Sequence, residues 1–132
     1  MTVLFPFVPA ALVDIELIDD LRRVFAAFDA FEFQLSAASR FPDVLYLAPE
    51  PSEPFRALTK AVVDAFPGYK PYEGQFDSIV PHLTVAEGEE AILDRAAAET
   101  LSSLPIAATA SEIVLLEELE PDSARWSARA RL

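Results

Sequence analysis

One histidine occurs in the chain, His82, and it stands in the run Pro81-His82-Leu83-Thr84-Val85. The run is β-branched and apolar enough to predict a strand over residues 80–85. Positions i and i+2 of a strand project from the same face, so His82 and Thr84 are expected side by side. An imidazole gives or takes a proton near neutral pH, while a neighbouring hydroxyl holds a phosphate oxygen. Alone the signal is weak, because a histidine two residues from a threonine on a half-exposed strand is commonly plain surface.

Other chemistries close quickly. The chain has no cysteine, which excludes a disulfide framework, a thiol nucleophile and thiolate metal sites, and fits a reducing cytoplasm. Its three glycines are scattered, so no phosphate-cradling loop is present, and there is no G-x-S-x-G elbow. With one histidine, nitrogen-ligated metal sites are not expected. Glu117, Glu118, Glu120 and Asp122 could hold a hard cation, but they lack ligand spacing and read as a solvated loop. The net charge of -12 repels long nucleic acid but leaves room for a small phosphate ester in a local pocket. The most apolar stretch, residues 3–13, is far shorter than a membrane span and carries Pro6 and Pro9. It has no basic start, so it is not a signal peptide either.

The elements that position His82 emerge from periodicity. Over half the residues are hydrophobic (52%), enough for one core, and no linker divides residues 1–132. Residues 3–7 predict a short strand. Leu17, Ile18, Leu21, Val24, Phe25 and Phe28 predict a helix capped by Asp14. Phe31, Phe33 and Leu35 alternate with polar residues as in a half-buried strand. Residues 44–47 are apolar on both faces, as in a central strand, and Arg40-Phe41-Pro42-Asp43 predicts the turn of a hairpin joining the two. Ser52 is placed to cap a second helix through Phe55, Leu58, Val62 and Phe66, stopped by Pro67-Gly68. Gly88 and two glutamates open a third helix, closed by Pro105. Residues 113–116 and 123–132 predict two last strands. Short connections between strands favour antiparallel pairing, giving an α+β fold rather than a doubly wound sheet. A weak repeat of strand, helix and hairpin relates residues 2–47 to 80–132, each opening on a threonine, Thr2 and Thr84.

In this context the chain resembles the two-histidine (2H) phosphoesterases, and among them the 2'-5' RNA ligase-like branch. That family carries His-x-Thr twice, one motif per lobe, facing across a cleft. Pro81-His82-Leu83-Thr84-Val85-Ala86 reads as the second motif. Thr2-Val3-Leu4-Phe5-Pro6-Phe7 reads as the remainder of the first, beyond its histidine. The run from Arg40 to Glu50 and the final strand, with Trp126 leading into alternating arginine and alanine, are similar to the same branch. The resemblance covers essentially the whole chain.

It implies two pseudo-symmetric lobes of antiparallel sheet with helices outside, and a metal-independent phosphoesterase acting on a 2',3'-cyclic phosphate or a 2'-5' phosphodiester. One histidine would serve as base and the other as acid, with His82 one of the pair and Thr84 and Thr2 holding phosphate oxygens. The departure is at the start. Met1 falls on the variable position between histidine and threonine, so the first histidine, with the strand before it, would precede residue 1. Either a GTG valine codon has been read as a start, or the protein is short and has lost half of its site. The second case would leave a non-catalytic binding or interaction domain. Phe7, Phe41 or Tyr72 could stack a base, against plain packing. Arg125, Arg129 and Arg131 could attract phosphate, against a solvated strand face. The expected partner is a small nucleotide or RNA-end phosphate ester, with no cofactor and no membrane. An open edge near Thr2 predicts a homodimer.

Overall fold

The computed structural model describes residues 1–69, 80–120 and 125–132. A short 3-10 turn at Ala10–Leu12 leads into α1 (Ile15–Phe25), β1 (Phe31–Phe41), β2 (Val44–Glu50) and α2 (Glu53–Ala65). Next come β3 (Leu83–Glu87), α3 (Glu90–Leu101), β4 (Ile106–Ala110), β5 (Val114–Glu118) and β6 (Trp126–Arg131). The fold is α+β. Four strands form one antiparallel sheet in the order β3-β2-β1-β4, and β5 and β6 form a second.

The helices bury their apolar stripes. On α1, Leu21 and Phe25 are buried, Asp14 Oδ1 accepts from the Leu17 amide at 2.9 Å, and Arg22 and Arg23 occupy the last turn. An acid at the start and cations at the end complement the helix dipole, and Asp14 is the cap the sequence predicts. On α2, Phe55, Leu58, Thr59 and Val62 form the buried stripe. Ser52 stands at the cap position, but its hydroxyl makes no capping bond, because its backbone is already helical (φ -89, ψ -21). A capping side chain needs the extended conformation there. Leu21, Phe25, Leu58 and Val62 pack together, and Val3, Leu4, Phe7, Leu115 and Leu132 lie against them.

Residues 3–7 do not form the expected strand. Pro6 has no amide to give to a ladder. The segment instead turns its apolar side chains onto α1 and α2, and Thr59 Oγ1 donates to the Val3 carbonyl at 2.7 Å. β4 has no counterpart among the expected strands, and β3 begins three residues later than predicted.

β2 is central, as its two apolar faces imply, with β1 and β3 on either side. The hairpin between β1 and β2 turns through Pro42 and Asp43, and Asp43 takes a positive φ of 60. Its carbonyl accepts from Gly88 N at 3.0 Å, which ties that turn to the end of β3. Each antiparallel pair along β2 contains an irregularity. In the pair with β3, Leu45 faces Ala86 and Tyr46 faces Thr84, so Val85 is one residue extra, a bulge. Such bulges bend and twist a strand, which curls the sheet. β2 itself is uninterrupted, so Leu45 and Leu47 share one face and Tyr46, Ala48 and Glu50 the other. Leu45 and Leu47 are almost completely enclosed.

Candidate active site

His82 lies one residue before β3, not within it. Pro81 supplies no amide, so the ladder starts only at Leu83. The Val80 carbonyl is within 2.8 Å of His82 Nδ1. A carbonyl only accepts, so Nδ1 carries the hydrogen and the lone pair of a neutral ring is on Nε2. Two aromatic rings fix the plane of the imidazole. Phe41 meets it edge-on at 5.4 Å and Tyr46 at 5.8 Å. Phe41 and Tyr46 stack on each other at 4.2 Å, nearly parallel.

Thr84 is exposed and is the register partner of Tyr46. Directly opposed residues of an antiparallel pair share a face. His82 reaches the Tyr46 ring, and Thr84 is opposite Tyr46, so both belong to the face that carries Tyr46, Ala48 and Glu50. His82 itself lies outside the strand on which the sequence places it.

Thr2 occupies an exposed, irregular segment instead of a strand. Its nearest anchor along the chain is Val3, whose carbonyl is held by Thr59. Phe7 is a core residue: its ring meets Phe66 at 5.4 Å and Tyr69 at 5.2 Å. Phe41 does flank the site, but one of its faces is covered by Tyr46. Tyr72 and Asp122 lie outside the described residues. Arg129 pairs with Glu117 at 3.9 Å and Arg131 with Glu112, so acids compensate both cations. That is the solvated face rather than a phosphate trap. Among the described residues no group of three or more His, Cys, Asp or Glu could hold a metal ion, and no helix is long and apolar enough to cross a membrane.

Tyr46 is the neighbour of the imidazole that sequence reasoning misses. In the run Val44-Leu45-Tyr46-Leu47 it is the one side chain with a polar tip, which is a faint signal. Only the register, which sets it opposite Thr84, brings it to His82.

A family model described as the 2'-5' RNA ligase superfamily matches residues 1–122. The chain belongs to this superfamily, which is part of the 2H phosphoesterases. No curated protein matches the chain.

Proposed function

We propose that the protein acts on a 2',3'-cyclic phosphate or a 2'-5' phosphodiester of RNA ends or small nucleotides. The observation that supports this most directly is the mounting of His82: Nδ1 engaged by the Val80 carbonyl, two aromatic rings against the imidazole, and Thr84 on the same face. Nε2 then transfers a proton to or from the 2'-oxygen as the P–O bond forms or breaks. The Thr84 hydroxyl donates to a non-bridging phosphate oxygen, where negative charge gathers. Thr2 is proposed as the second phosphate holder. The chemistry needs positioned proton transfer and hydrogen bonds, and calls for no metal.

The 132 residues contain a single imidazole, whereas the reaction uses one group as base and one as acid. Turnover by these residues alone is accordingly proposed to be low. Hydrolysis of nucleoside 2',3'-cyclic phosphates tests the assignment. His82→Ala should lower it by roughly 10²–10⁴-fold. Efficient turnover by the 132 residues would refute the need for a second imidazole. Activity untouched by His82→Ala would refute the site.

The single histidine also favours a second reading, a domain that binds a nucleotide without converting it. Nucleotide binding without turnover would establish that alternative. For assembly, we propose a homodimer that covers the edge near Thr2 or exchanges the N-terminal segment, with light scattering across a concentration series as its check.

A further inference from the structure

Tyr46 differs from the residues on either side of it. It is 8% exposed, although the residues directly opposite, Ser39 on β1 and Thr84 on β3, are short and exposed. Two rings lie against it: Phe41, stacked at 4.2 Å, and the imidazole of His82 at 5.8 Å. Its neighbours on β2, Leu45 and Leu47, point to the other face of the sheet. So does Arg40, which is opposite Leu45 and bonds Asp94 of α3 at 2.6 Å. Arg40 is the one cation in β1, β2 and β3. On the Tyr46 face these three strands therefore offer an anion neutral donors only.

The Tyr46 hydroxyl makes no hydrogen bond among the described residues. Among those residues no fully enclosed side-chain nitrogen or oxygen lacks a partner, so the part of Tyr46 that remains open includes its oxygen. Water serves that oxygen while the face is open. A substrate that displaces the water has to replace the bond, because a buried hydroxyl left without a partner costs more than a made bond gains. A phenolic O–H donates as well as accepts, and a bond from it to an ionised acceptor is among the stronger ones. Directly opposed side chains leave their strands about 5 Å apart, so a phosphate placed at Thr84 is within reach of Tyr46 too. Ser39 stands two strand spacings from Thr84, about 10 Å, and is beyond that reach.

We propose that the Tyr46 hydroxyl donates to a phosphate oxygen beside the one that Thr84 holds. The proposal rests on the phosphoester reading of His82 and Thr84 and adds a substrate contact to it. Tyr46 then has two separable parts: its ring packs against the imidazole, and its oxygen meets the substrate.

Tyr46→Phe separates them, since it keeps the ring and removes only the oxygen. The test titrates adenosine 2'-monophosphate and inorganic phosphate into the full chain, with binding read from amide shifts in NMR. Tyr46→Phe should weaken both ligands about ten-fold, while the His82 ring resonances of the free protein and the denaturation midpoint stay in place. Ser39→Ala, one strand away on the same face, should bind both as the parent chain does. Unchanged affinity in Tyr46→Phe, or an equal loss in Ser39→Ala, would overturn the contact while the phosphoester reading stands. Weakening accompanied by displaced His82 resonances would overturn it as well, because the oxygen would then act through the imidazole. A loss for the nucleotide but not for inorganic phosphate would move the contact to the sugar and overturn the phosphate assignment. If the parent chain binds neither ligand, the phosphoester reading falls and the contact with it.

Discussion

The two sheets of this molecule are made differently. The four-stranded sheet is backed by helices, and its strands supply Leu35, Leu45, Tyr46 and Leu47 to the set of buried hydrophobic residues. The two-stranded sheet supplies none among the described residues, and its surface exposes Leu116 and Trp126. It leans on α1 and α2 through half-buried Leu115 and on a T-shaped contact between Trp126 and Phe5. His82 is mounted on the first sheet. The irregular segment with Thr2 borders the second. Each half of the proposed site therefore inherits a different rigidity: the imidazole is held by enclosed packing, the opening segment by one hydroxyl and partial burial.

That contrast can be broken experimentally. The largest effect is expected from Leu47→Ala, which removes an enclosed side chain behind Tyr46 and should cost about 2–5 kcal/mol in chemical denaturation. Leu116→Ala, at a side chain 53% exposed, should change stability by about 0.5 kcal/mol or less. Comparable losses at the two positions would show that the second sheet is as integral as the first. Next comes Thr59→Val, which keeps the volume but strips the Val3 carbonyl of its donor. A loss of about 1–3 kcal/mol is expected, together with faster amide exchange at residues 3–7 and unchanged exchange in β2. Exchange unchanged at residues 3–7 would mean that apolar contact alone holds the segment.

Asp14→Ala removes the cap of α1, the helix against which both the opening segment and the second sheet pack, and should cost about 1 kcal/mol. The smallest effect is expected from Arg131→Ala. Its pair with Glu112 joins two exposed side chains, so stability should move by less than about 1 kcal/mol, and the difference should shrink as salt is added. A larger loss would make the pair a real fastening of the second sheet.

The same contrast explains how much was legible in the sequence. Wherever a helix or strand buries one stripe, the period of its apolar residues revealed it: α1 with its aspartate cap, α2 up to Pro67, and the hairpin of β1 and β2. Residues 3–7 have strand-like composition but do not form one, because Pro6 cannot join a ladder and the apolar side chains find the core without one. β4 is Ile-Ala-Ala-Thr-Ala, whose small side chains show no alternation to read. The proton-transfer candidate was legible as a pair of residues two apart. Its setting was not, since Phe41 and Tyr46 reach His82 only through hairpin register and Glu50 joins the face only through the continuity of β2.

The bulge at Val85 gives β3 a kind of slack. Thr84 and Ala86 would point the same way in a regular strand, but here they face opposite sides of the sheet because Val85 has no partner across the ladder. Deleting Val85 would leave both neighbours on their present sides, with the ladder merely regularised. Deleting Leu83 instead would swing the imidazole toward the helices while every residue beyond it kept its place. The strand can thus lose a residue at Val85 but not at Leu83, so which side of the bulge a residue stands on matters more to the proposed site than the number of residues between His82 and Gly88.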